Sequence, residues 1–149
     1  MIKEQLDQDI KVAMLGGDKR LVSVLRTIKS AILDKEVNSG ARESGLEESV
    51  VIELLQKEQK KRLEAAKLYE EANDAERAGQ EKYEAEMLAK YLPKQLSEDE
   101  LGAVVEEVIA GLDSPTMQQM GQVIGAVKAK VGPAGDRAII AKLVKENLG

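Results

Sequence analysis

The sequence predicts an all-α protein made of two small helical units, about four helices in residues 1–92 and three in residues 93–149. Three observations carry this reading. Apolar residues recur at helical spacing through nearly the whole chain, and no segment sustains the alternation of a strand. Gly, Asn and Pro divide the pattern into stretches of helical length. Pro93 disfavours the α conformation at Leu92, and the pair Ser97 and Glu100 has the spacing of a capping box that restarts a helix just after it.

The first helix carries Ile2, Leu6, Ile10, Ala13 and Met14, and Gly16-Gly17 stops it. Asp18 caps the second, whose stripe is Leu21, Val24, Leu25, Ile28, Ile32 and Val37, ending near Ser39-Gly40. Residues 40–45 read as a loop. Ser44 and Glu47 have capping-box spacing before a long third helix with Val50, Val51, Leu54, Leu55 and Leu63, reaching toward Tyr69. Its bases Lys57, Lys60, Lys61 and Arg62 alternate with Glu53, Glu58 and Glu64, which reads as a solvated face. Asn73-Asp74 is the next break. The fourth helix carries Tyr83, Met87, Leu88, Tyr91 and Leu92. In the second unit, Leu101, Val104, Val105, Val108 and Ile109 mark the fifth helix. Gly111 to Pro115 is a turn, with Pro115 suited to a first helical position. The sixth helix runs from about Thr116 to Val131 with Met117, Met120, Ile124, Val127 and Val131 as its apolar face. Gly132 to Gly135 turns the chain, and Asp136 caps a seventh helix that reaches Leu148.

Composition excludes much chemistry. The 149 residues contain no Cys, His, Trp or Phe and three Tyr. Disulfides, Cys/His zinc sites, thiolate nucleophiles and histidine bases all lack a required residue. Three tyrosines cannot tile a base-stacking platform. The cluster Glu98-Asp99-Glu100 sits where a helix start favours acids, so it reads as capping, not as a metal site. No cofactor motif, catalytic motif or metal-ligand pattern stands out, and none is expected. No apolar run is long enough to span a bilayer, and the residues from Met1 to Leu6 lack the apolar stretch of a secretory signal. The expected location is cytoplasmic, with no membrane partner.

The formal net charge is −5, from 27 acids and 22 bases. It is unevenly spread. Residues 97–113 hold six acids and no base, whereas residues 114–149 hold Lys128, Lys130, Arg137, Lys142 and Lys145 against Asp136 and Glu146.

The sixth helix carries Gly121 and Gly125, each disfavoured by about 1 kcal/mol relative to Ala in a helix interior. They project close together, and Lys128 and Gly132 fall on the same strip. Two readings stand. Small residues let the fifth or seventh helix approach closely, or the bare backbone lets a phosphate chain or partner approach, with Lys128 supplying charge. The spacing does not match a phosphate-loop motif. An anion at the amino end of the seventh helix would meet Asp136, the wrong charge.

Taken in order, four segments resemble one family. These are Leu25-Arg26-Thr27-Ile28-Lys29-Ser30-Ala31-Ile32, then Lys60-Lys61-Arg62 with Glu64-Ala65-Ala66 and Tyr69, then Tyr91-Leu92-Pro93-Lys94-Gln95-Leu96-Ser97, and Met120-Gly121-Gln122-Val123-Ile124-Gly125-Ala126-Val127. They resemble the signatures of the YqeY-like proteins over nearly the whole chain. The resemblance implies an all-α protein of two subdomains. It also implies kinship with the C-terminal tail of the B subunit of aspartyl/glutamyl-tRNA amidotransferase, which helps to hold tRNA, and with modules appended to some glutaminyl-tRNA synthetases. The catalytic regions of that enzyme are much larger than this chain, so its activity does not transfer with the tail.

The leading expectation is a non-catalytic, tRNA-associated module. Gly121, Gly125, Lys128, Lys130, Arg137 and Lys142 are the expected backbone contacts. The rivals are an adapter docking on an aminoacyl-tRNA synthetase or amidotransferase, and a small carbon–nitrogen ligase using glutamine as amido donor.

Overall fold

The computed structural model describes residues 1–148. Those residues form seven α-helices and two short 3-10 turns, with no strand among them, so the fold is all-α. None of the helices is long and apolar enough to cross a membrane. The chain divides into two compact units, Met1–Leu92 and a second from Pro93 onward.

The first unit contains α1 (Ile2–Leu15), α2 (Lys19–Asn38), α3 (Glu48–Glu71) and α4 (Ala75–Ala89). Gly17, at φ +73°, makes the turn after α1 in a conformation that suits glycine. The Asp18 carboxylate then accepts a hydrogen bond from the Leu21 amide at 3.0 Å, which starts α2. Asn73 ends α3 at φ +60°, tolerable for asparagine, and Asp74 caps α4 by accepting from the Arg77 amide. α3 and α4 form a long antiparallel hairpin, in which Lys82 of α4 pairs with Glu70 and the Gln59 amide donates to the Ala85 carbonyl. The core joins Leu6 of α1, Leu25, Ile28 and Ile32 of α2, Leu55 of α3 and Leu88 of α4. Each fully buried aliphatic side chain contributes about 1.5–3 kcal/mol.

Four details of the first unit depart from the pattern read in the sequence. The Ser44–Glu47 capping box does not form. Glu47 itself is the N-cap, with no side-chain capping bond, and the Ser44 hydroxyl donates to the Gly45 carbonyl. Glu48 instead accepts from the Ile2 amide at 3.0 Å, so a residue of α3 satisfies an orphan donor at the start of α1. α4 ends at Ala89, leaving Tyr91 and Leu92 beyond it, still packed on the core. Met14, Val37 and Leu63 are exposed, and position 36 takes the place expected of Val37. Arg62 is not part of a solvated face. Its side chain is 15% exposed, bonds to Glu58 at 2.8 Å and approaches Glu84. Burial raises the Glu84 carboxyl above the ordinary value, against the lowering influence of Arg62.

All three tyrosines are half-buried. The Arg20 guanidinium lies 3.8 Å above the Tyr83 ring. The Tyr91 hydroxyl donates to Asp9 of α1, tying the end of the unit to its beginning. Burial, and then the Asp9 carboxylate, push the Tyr91 phenol far above its ordinary value of 10.0. The folded state therefore holds this proton more tightly than the unfolded chain. The stabilisation is fully present below pH 10 and is lost as pH rises further toward the folded-state value. Alkaline denaturation of the wild type should steepen above pH 10, and Tyr91→Phe should flatten that limb. Identical alkaline limbs would contradict the assignment.

The second unit contains α5 (Glu98–Ala110), a 3-10 turn at Met117–Gln119, α6 (Met120–Val131), a second 3-10 turn at Gly132–Ala134, and α7 (Arg137–Asn147). The Ser97–Glu100 capping box forms as expected. The Glu100 amide donates to Ser97 Oγ at 3.1 Å, and Glu100 Oε1 accepts from the Ser97 amide at 3.4 Å. Asp136 caps α7, accepting from the Ala138 and Ile139 amides at 2.9 and 3.0 Å. Leu101, Val105, Val123, Val127, Ile140 and Val144 fill the centre of a three-helix core, and each helix packs on the other two. The sixth helix begins differently from the sequence reading. Pro115 precedes the cap, Thr116 is the N-cap, and a 3-10 turn leads into α6 at Met120. Met117 is exposed, while Val123, absent from the expected apolar face, is fully buried.

Candidate nucleic-acid interface

α6 turns Val123 and Val127 inward at four-residue spacing. Gly121 and Gly125 lie on its exposed side. A Cβ built on either glycine meets no atom within 4 Å. Close approach of α5 or α7 therefore does not account for them. They leave a length of helix backbone bare to solvent, and their conformational disadvantage is not offset by packing.

Lys128 continues the strip one turn on, half-buried, in the last turn of α6, where a cation suits the helix dipole. It makes no ion pair among the described residues. Arg137 opens α7 and is exposed. A cation there faces the positive end of the helix dipole, so the local structure gives it no electrostatic advantage.

The other two candidates are engaged elsewhere. Lys130 Nζ lies 2.9 Å from Glu107, and Lys142 Nζ lies 2.8 Å from Glu98. Both acids belong to α5, so the acidic helix meets the basic segments directly. The hydrogen bond to Glu98 raises the Lys142 ammonium above its ordinary value, with the charges of Glu98 and Glu146 adding to it. Exposed pairs of this kind are worth little and yield readily to a polyanion. The six residues thus form three groups: a bare strip of Gly121, Gly125 and Lys128; two lysines bridged to α5; and Arg137 at the start of α7.

The amino end of α7 is filled by its own cap, since Asp136 accepts two of the free amides there. Among the described residues, no group of three or more carboxylates is placed to hold a metal ion. One feature lay outside the sequence reading, a cleft beside the α1–α2 turn, lined by Lys19, Ser23, Arg26, Thr27 and Ser30 along one side of α2. The signal was present as polar residues at helical spacing. It was masked because such positions ordinarily read as a solvated face.

Residues 3–148 match the family model described as Yqey-like protein. No curated protein matches the chain.

Proposed function

Since the chain belongs to the Yqey-like family over almost its full length, we propose that it is a non-catalytic helical module that associates with tRNA, contacting the RNA backbone through its second unit. The observation that carries this reading is the open face of α6. Two glycines stand at exposed helical positions where nothing packs on them, and they lead into the unpaired Lys128. Phosphates approach closely where no Cβ intervenes, and a nearby ammonium holds them without reading sequence. The kinship with the tail of the amidotransferase B subunit that the family resemblance implies supports the choice of tRNA. The absence of His and Cys fits a module whose chemistry belongs to a partner.

Titration of the full chain with tRNA at low and moderate salt tests the proposal. Affinity should fall steeply with salt and depend little on RNA sequence. Lys128→Glu with Arg137→Glu should weaken binding by about tenfold or more and reduce the salt slope by about two, roughly one unit per phosphate contact. Lys142→Glu should weaken it less, because Lys142 already shares its charge with Glu98. No binding at low salt, or unchanged affinity in the Lys128/Arg137 variant, would refute the reading.

A second reading, an adapter docking on a synthetase or amidotransferase, is favoured by Leu63 and Leu68, both exposed on α3. Capture of such an enzyme that survives nuclease treatment would select it over the RNA reading.

A further inference from the structure

The first unit carries a cleft of about 640 Å³ at the α1–α2 turn. That volume lies within the range of small-molecule sites. One side is apolar, made by Ala13 and Met14 from the end of α1 and Val22 from α2. The other is a polar ladder on α2. Lys19, Ser23, Arg26, Thr27 and Ser30 follow one another at three- and four-residue steps, with Thr27 beside Arg26, and so share one side of the helix. Gly17 forms the tip, and a Cβ there would meet no atom within 4 Å, so the mouth is open.

The cleft holds two cations, Lys19 and Arg26, against one carboxylate, Asp18, so it is basic on balance. Elsewhere, some bases, such as Lys3, Lys29, Lys82, Lys130 and Lys142, stand against a carboxylate, and others, such as Lys128, do not. Lys19 and Arg26 have no such partner among the described residues, and the Arg26 guanidinium instead contacts the Met14 sulfur at 3.6 Å. The one carboxylate in the lining, Asp18, accepts from the Leu21 amide. The Thr27 hydroxyl donates to the Ser23 carbonyl, whereas the Ser23 and Ser30 hydroxyls have no protein partner among the described residues.

We infer that this cleft binds a small phosphomonoester that carries an apolar group. The planar fork of Arg26 matches two phosphoryl oxygens, and Lys19 adds a second charge. Ser23 and Ser30 supply hydroxyl donors along the same face. The apolar group lies on Met14 and Val22, and the flexible thioether of Met14 adapts to its shape. This site is independent of the RNA contact proposed for the second unit.

Calorimetric titration of the full chain with adenosine monophosphate, hexyl phosphate and inorganic phosphate tests the inference. Both esters should bind at least about tenfold more tightly than inorganic phosphate, since only they use the apolar wall. Arg26→Gln should weaken both esters by about tenfold or more, and Arg26→Lys by less. Met14→Ser should weaken the esters more than it weakens inorganic phosphate, because it removes part of the apolar wall as well as the sulfur that Arg26 contacts. Arg26 is exposed, so an unchanged thermal transition in the variant would assign the loss to binding. Tighter binding of the nucleotide identifies a nucleoside source, and tighter binding of the hexyl ester identifies an alkyl one. The inference is overturned if no probe binds at millimolar concentration, if inorganic phosphate binds as tightly as the esters, or if Arg26→Gln changes nothing.

Discussion

Lys3→Met should destabilise the first unit by about 2–3 kcal/mol. Glu36 is 2% exposed, the one buried charged residue among those described, and both of its carboxylate oxygens accept from Lys3 Nζ, at 3.0 and 3.2 Å. Removing the ammonium leaves a buried carboxylate without a partner. The effect falls below that of a fully buried pair because the Lys3 side chain is 36% exposed and water reaches it. The companion variant, Lys3→Met with Glu36→Met, removes both charges and fills similar volume. It should recover most of the loss or exceed wild-type stability, since replacing a whole buried pair by apolar groups is often neutral or favourable. Urea denaturation followed by circular dichroism measures all three proteins together with Glu36→Met. Wild-type stability in the single Lys3 variant would show that Glu36 does not depend on its partner.

Gly125→Ala should stabilise the second unit by about 1 kcal/mol, the difference in helix propensity, because nothing lies within 4 Å of the new methyl. Gly121→Ala should give less, since it is the second residue of α6. Gly135→Ala should do the reverse. Its Cβ would stand 2.5 Å from Val131 Cγ2, 3.0 Å from Ile140 Cδ1 and 3.3 Å from Leu101 Cδ2. The branched Val131 and the filled core leave little room to yield, so the expected loss is about 1–3 kcal/mol. Thermal unfolding separates the two outcomes by sign. The proposed RNA contact adds a second readout, because Gly121→Ala with Gly125→Ala should bind tRNA less well while being more stable. Rising stability with unchanged affinity would detach the glycine face from RNA.

How much of the fold is legible in the sequence depends on the range of the interaction that decides each feature. Asp18, Asp136 and the Ser97–Glu100 pair act on amides two or three residues away, so spacing alone places these helix starts. Ser44 and Glu47 have the same spacing, yet no box forms. There the chain enters α3 with Glu48 committed to the amide of Ile2, 46 residues away. The same limit applies to the candidate interface. The glycine strip and its lysine were visible as a helical pattern, but whether another helix covered the strip was not. The sequence also showed an acidic and a basic segment in the second unit. It did not show that Glu98 and Glu107 reach Lys142 and Lys130.

The sequence by itself determined that this protein is all-α and where most of its helices run, because period, caps and breakers act within a turn or two. It also determined which chemistries are out of reach, because no fold supplies a missing imidazole or thiol. Only the tertiary structure decided that Glu36 enters the core in place of Val37, that α6 leaves its glycines uncovered, and that Lys19 and Arg26 line one cleft with Met14 without forming an ion pair. In each case what decides is which group another helix brings near, or fails to bring, and that depends on packing that no local pattern encodes.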